Sequence, residues 1–129
     1  MKGSQMRTPM RRVRGLGAAH SGTGNFWHQR VTSVAGIPLT IALIVIVISL
    51  LGRSHAAAVQ ILGSPIVAIT MLLFIINMAY HMWIGMQEII IDYVHEDKSK
   101  LAALLANTFF TFAVGFASAF AILKLSFGV

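Results

Sequence analysis

His81 is an ionisable side chain inside an apolar stretch that runs from Pro65 to Gln87, and Asn77 is the other polar interruption there. A group of this kind within a bilayer is costly, so it marks a functional position by default. At about 100° per residue, Gly85, Glu88 and Asp92 fall within roughly 40° of His81 on a helical wheel. One face thus carries His, Gly, Glu and Asp in succession. A glycine one turn from a histidine removes the side chain that would block a large planar ligand, and neutral imidazole is a common axial ligand to haem iron. The pairing suits a haem edge packed against the helix. Asp92 and Tyr93 close the same stretch, where a tyrosine hydroxyl can donate a hydrogen bond to a quinone carbonyl and a carboxylate can orient polar groups or relay protons.

Each of these residues also has a plainer reading. A lone histidine in a membrane helix can serve only as a hydrogen-bonding partner for a neighbouring helix. Tyr93, Tyr80 and Trp83 fit an interfacial aromatic belt, and Glu88, Glu96 and Asp97 fit charges at a membrane exit. Met78, Met82 and Met86 repeat every fourth residue, a stripe that reads as packing rather than metal binding.

The element that presents His81 must cross a membrane. Of the 129 residues, 57% are hydrophobic and 11% charged, which is too apolar for an ordinary soluble domain of this size. Three long apolar runs leave too little chain for a separate soluble enzyme domain. The absence of cysteine excludes disulfides, thiolate metal sites and cysteine-held iron–sulfur clusters within the chain. The formal charge of +6 does not point to nucleic acid, because the basic residues flank the apolar runs and are explained by membrane topology.

The spans read as follows. Residues 1–30 form a basic arm with Lys2, Arg7, Arg11, Arg12, Arg14 and Arg30 and no acid; a polar leader of this length argues against a cleaved signal peptide. The uncharged run 31–51 matches the ~20 residues a helix needs to cross the hydrocarbon core, with Pro38 in its second turn beside Thr32, Ser33 and Thr40, which can satisfy the freed backbone carbonyl. A short extramembrane turn is expected over 52–64, with Ser64 and Pro65 as cap and first-turn residue of the next helix. The second span covers 65–91, with helical pattern continuing to about Tyr93, and places His81 near mid-membrane. The loop 92–100 contains Asp92, Glu96, Asp97, Lys98 and Lys100. The third span is 101–123, with Ala113, Gly115, Ala117, Ser118, Ala119 and Ala121 spaced for close helix packing, and 124–129 forms the far terminus. Eight of the ten Lys and Arg residues lie on the side of the arm and second loop, so the N-terminus is expected in the cytoplasm and the C-terminus in the periplasm or its organellar counterpart.

The stretch His81-Met-Trp-Ile-Gly-Met-Gln-Glu-Ile-Ile-Ile-Asp-Tyr-Val-His95 resembles the signature of the small hydrophobic membrane-anchor subunit of succinate dehydrogenase. In that family H-x-W-x-G-M and D-Y are separated by a few apolar residues. The segment Phe26-Trp27-His28-Gln29-Arg30-Val31-Thr32 resembles the family's lead into its first helix. The likeness spans about residues 24–123. It implies an all-α membrane protein, a bundle of three transmembrane helices packed with a partner anchor subunit, in a bacterial inner membrane or its mitochondrial equivalent.

By that resemblance His81 would be an axial ligand of a b-type haem shared with a second membrane anchor subunit, a cytochrome b, with Gly85 packing beside the haem. Tyr93 would hydrogen-bond ubiquinone, Asp92 would support that site, and Arg30 would pair with a haem propionate or line the quinone pocket. The other partners implied are an iron–sulfur subunit, a flavoprotein subunit and membrane lipid. The chain would not be an enzyme alone but part of respiratory complex II, linking the tricarboxylic acid cycle to electron transport. His20, His28, His55 and His95 gain no role from the resemblance. The same residues also admit a quinol:fumarate reductase anchor, an anchor whose histidine binds no haem, or a small proton-coupled transporter using His81, Glu88 and Asp92. Against the last stands the lack of charge in the first and third spans.

Overall fold

The computed structural model describes residues 20–129, and all of its regular structure is helical: α1 (His20–Leu50), α2 (His55–Gly63), α3 (Pro65–Tyr93) and α4 (Asp97–Phe127). The basic arm before residue 20 lies outside the described residues. Three of the helices, α1, α3 and α4, are long and apolar enough to cross a membrane. Central α3 is flanked by α1 on one side and α4 on the other, while α2 packs against α4 and α3.

The long helices run past the apolar segments at several ends. Helix α1 starts well before residue 31, α3 continues through Asp92 to Tyr93, and α4 begins at Asp97 and reaches Phe127. Hydropathy locates the part of a helix that suits lipid, whereas backbone hydrogen bonding carries the helix on into polar residues. The connection expected over 92–100 therefore contracts to Val94, His95 and Glu96. Glu96 occupies the N-cap of α4 and its carboxylate accepts a hydrogen bond from the Ser99 hydroxyl at 2.8 Å. Asp97 in the first turn and Lys124 in the last both suit the helix dipole. Gly128 ends α4 in the left-handed conformation (φ 68°), with Val129 N–H donating to the Lys124 carbonyl.

The segment 52–64, expected as a turn, contains a helix. Gly52 takes φ 71° and ends α1. Ser54 then caps α2, its hydroxyl accepting from Ala57 N–H at 3.3 Å, and Ala56, Ala57 and Ala58 are strong helix formers that carry the chain onward. Ser64 ends α2 and opens α3 with Pro65 in the first turn, as the Ser-Pro pair predicts. The Ser64 hydroxyl, however, turns back to the Ile61 carbonyl at 2.7 Å instead of capping α3.

Pro38 lies inside α1 without ending it. The hydroxyls expected to satisfy the carbonyl freed at Val34 act a turn earlier. Ser33 donates to Gln29 O at 2.7 Å, and Thr32 lies 2.8 Å from His28 O and 3.0 Å from Gln29 O.

Few side chains are sequestered. Ala68, Ile84, Ile90 and Ile122 are the buried apolar residues among those described, and Thr32 is the buried polar one. In lipid there is no hydrophobic drive between helices, so polar pairs and close packing at small residues do the joining. Between α3 and α4 the Trp83 indole N–H donates to Thr108 Oγ1 at 3.1 Å, and the Asn107 amide donates to the Trp83 carbonyl at 3.1 Å. Gly115 approaches Ala79, while Ala113, Ala117 and Ala121 of the small-residue run face outward.

Candidate functional site

The polar residues of α1 and α3 meet along one antiparallel seam. At its centre His81 Nδ1 lies 2.8 Å from Thr32 Oγ1. One turn along, Asn77 Nδ2 donates to the Thr32 carbonyl at 3.0 Å, so one threonine receives both Asn77 and His81 of α3. Two glycines let the helices approach on either side. A Cβ on Gly36 would lie 3.4 Å from Asn77 Nδ2, and a Cβ on Gly85 would lie 3.4 Å from Gln29 Nε2. Gln29 Oε1 is the buried side-chain polar atom without a hydrogen-bond partner among the described residues.

His81 lines a groove of about 460 Å³ on the flank of this seam, together with Thr32, Ser33, Gly36, Ile37, Thr40, Ile41 and Met78. The groove is open along one side and mostly apolar. His81 is the sole histidine in its wall, and Nε2 makes no hydrogen bond among the described residues, so it is free to serve as a ligand atom. Chemically the site can offer one imidazole nitrogen to a flat, largely apolar group; it cannot complete a coordination shell. No group of three or more His, Cys, Asp or Glu side chains converges anywhere among the described residues.

The other predicted residues stand apart from the groove. Glu88, Asp92 and Tyr93 are exposed, Tyr93 at 78%, and the twelve residues from His81 to Tyr93 span about 18 Å of helix. Arg30 lies on the outer side of α1 with its guanidinium 4.6 Å above the Phe26 ring, a cation–π arrangement. Gly85 does not line the groove. Its missing side chain makes room for Gln29, and the glycine beside the groove is Gly36. On the outer face, the Tyr80 ring meets His28 edge-on and stacks on Trp83, with the Tyr80 hydroxyl 3.2 Å from His28 Nδ1.

Residues 4–115 match the family described as succinate dehydrogenase/fumarate reductase transmembrane subunit. The chain belongs to this family. As a succinate dehydrogenase/fumarate reductase transmembrane subunit it is a multi-pass membrane protein, in keeping with its three membrane-length helices. A curated relative from Paracoccus denitrificans, the succinate dehydrogenase hydrophobic membrane anchor subunit, is 31% identical over 121 residues, which cover 94% of this chain and 93% of the relative. No solved structure matches the chain significantly.

Within this transmembrane subunit, the sequence singled out His81 but not the residues that hold it. Gln29 and Thr32 lie three apart on α1, Asn77 and His81 four apart on α3. Polar side chains at helical spacing on two otherwise apolar helices are the signal by which the seam was recognisable.

Proposed function

We propose that this chain is the hydrophobic membrane anchor of a succinate:ubiquinone oxidoreductase, donating His81 as one axial ligand of a b-type haem and the α3 terminus to a ubiquinone site. The observation that carries the reading is the state of His81, tied through Nδ1 to Thr32, with Nε2 unengaged, beside an open apolar groove deep in α3. A single histidine in that groove fits a haem whose other axial ligand comes from a second anchor subunit, and the open side of the groove is where that subunit would close over it. Gly36, Ser33 and Thr40 form the α1 wall against which a planar ring would lie, and Arg30, two residues before Thr32 on α1, is the basic residue assigned to a propionate.

When bound, the haem supplies a one-electron redox centre beside the quinone. The chain's own part in quinone reduction lies at the end of α3. There the Tyr93 hydroxyl donates a hydrogen bond to a ubiquinone carbonyl, drawing electron density to that oxygen. Asp92, exposed beside it, holds polar partners in place and passes protons from water to the quinone oxygens. Two electrons, delivered from succinate through the flavoprotein and iron–sulfur subunits, and two protons convert ubiquinone to ubiquinol. Direction is set by potentials outside this chain, so the same anchor suits a quinol:fumarate reductase. A proton path through His81, Glu88 and Asp92 finds less support, since neither acid lines the groove with His81. The excess of basic residues on the side of the arm and second loop favours an inner-membrane protein with a cytoplasmic N-terminus.

The test is a reduced-minus-oxidised spectrum of the complex purified with its partners in mild detergent. Wild type is expected to show a b-type band, and His81→Ala to lose or shift it. A wild-type complex without the band would refute the haem, and an unchanged band in the variant would refute His81 as its ligand.

A further inference from the structure

The hydroxyl of Thr32 has three neighbours and one proton. His28 O lies at 2.8 Å, Gln29 O at 3.0 Å and His81 Nδ1 at 2.8 Å. The two carbonyl oxygens can only accept. If the hydroxyl proton pointed at Nδ1, the oxygen would face both carbonyls with no proton between, inside a seam where Thr32 is only 8% exposed. Oxygen lone pairs held that close to one another, away from water, repel. Placing the proton toward the carbonyls, as threonines in helices commonly do, removes that repulsion. Nδ1 must then carry a proton and donate it to Oγ1. Neutral imidazole protonated at Nδ1 has its lone pair at Nε2.

We infer that Thr32 is the positioning residue for His81, fixing the ring in the Nδ1–H tautomer so that Nε2 is the atom offered to the metal of a planar cofactor. The inference rests on the haem-ligand reading of His81. Thr32 is itself well placed to hold a ring steady. Its carbonyl is engaged by Asn77 at 3.0 Å, and its hydroxyl is tied to its own helix one turn back. The ring therefore meets an acceptor held from both helices. An acceptor on the remote N–H of a ligating histidine orients the ring and raises its basicity, and losing such a partner typically costs about 10–100-fold in metal affinity.

The experiment compares Thr32→Val, Thr32→Ser and His81→Ala in the purified complex. Valine keeps the shape of threonine and removes the acceptor; serine keeps the hydroxyl. Thr32→Val is expected to release haem to a haem-scavenging apoprotein roughly tenfold faster than wild type. Its midpoint potential should rise, because a less basic imidazole favours ferric iron less; a tenfold change in that preference corresponds to about 59 mV for a one-electron couple. Thr32→Ser should restore both properties. Wild-type haem retention and potential in Thr32→Val, with the band lost in His81→Ala, would overturn the role of Thr32 and leave the ligand standing. An unchanged band in His81→Ala would instead overturn the ligand reading. One measurement needs no variant: a density map of the wild-type complex should show Thr32 Oγ1 within hydrogen-bonding distance of Nδ1 and Nε2 toward the iron. A Thr32 hydroxyl turned away from the ring would refute the proposal even if Thr32→Val failed to assemble.

Discussion

Asn77 and Thr32 are joined across two helices by a hydrogen bond from the Asn77 amide to the Thr32 carbonyl, 3.0 Å long. Because Thr32 also meets His81, this bond sets the height of α1 against α3 at the level of the histidine. Asn77→Leu should weaken the α1–α3 association by about 0.6 kcal/mol, the average for polar contacts between membrane helices, and by no more than about 1.7 kcal/mol. Denaturation of the anchor in mixed detergent, followed by helicity, measures the loss. An unchanged midpoint would show that the bond contributes nothing net.

Gly85 gives a graded test of how close the helices must lie. A methyl group there would sit 3.4 Å from Gln29 Nε2, the end of a flexible side chain. Gly85→Ala is therefore expected to assemble with a near-normal haem spectrum, at a cost under about 1 kcal/mol. Gly85→Leu has no such escape and should force α1 away, lowering haem content together with stability. Equal behaviour of the two variants would show that the glycine serves some purpose other than this approach.

At the opposite end of the bundle Gly63 is under tighter constraint. A Cβ there would come within 2.8 Å of the Leu125 backbone carbonyl, which cannot move without displacing the end of α4. Gly63→Ala should cost about 1 to 3 kcal/mol by overpacking. Gly52→Ala, which meets nothing nearby but holds φ 71°, should cost less, about 1 kcal/mol. Thermal unfolding of the two variants side by side checks the order; a less damaging Gly63→Ala would contradict the α2–α4 contact.

Trp83→Phe removes the indole donor to Thr108 but leaves no orphan, since the Thr108 hydroxyl also donates to Leu104 O at 2.9 Å. A loss of about 0.6 kcal/mol is expected, with the His81 site spectrally unchanged. A large change in the haem spectrum would mean that α4 reaches the site through Trp83.

Tyr93→Phe separates the two ends of α3. Quinone reduction should fall at least tenfold while succinate oxidation with an artificial acceptor and the haem spectrum stay near wild type, because Tyr93 is about 18 Å of helix away from His81. Equal loss of both activities would count against a quinone contact.

The three membrane-length helices were legible in the apolar runs because a bilayer demands a length and a composition together. What they do not record is where a helix ends outside the bilayer, so α3 and α4 draw closer in sequence than the charges around Glu96 imply. Helix α2 was hidden for a related reason: Arg53, His55 and Gln60 read as an exit into water, while the alanines between them favour a helix that then docks on α4. His81 stood out because it is costly. Thr32 did not, since a threonine beside a proline has a local use, and its partner lies 49 residues away. Gly85 marks a place where something comes close, and the neighbour that this fold supplies from α1 is Gln29, a partner distant in sequence that no local pattern announces.

The seam around His81 also carries an order of synthesis. Every polar contact described for the histidine and its threonine, and both glycine approaches beside them, lies within α1 and α3. Once the ribosome has passed Tyr93, the nascent chain holds all the parts needed to align the imidazole, before any residue of α4 has been translated. A cofactor arriving during membrane insertion would meet a half-site already shaped by the first two crossings.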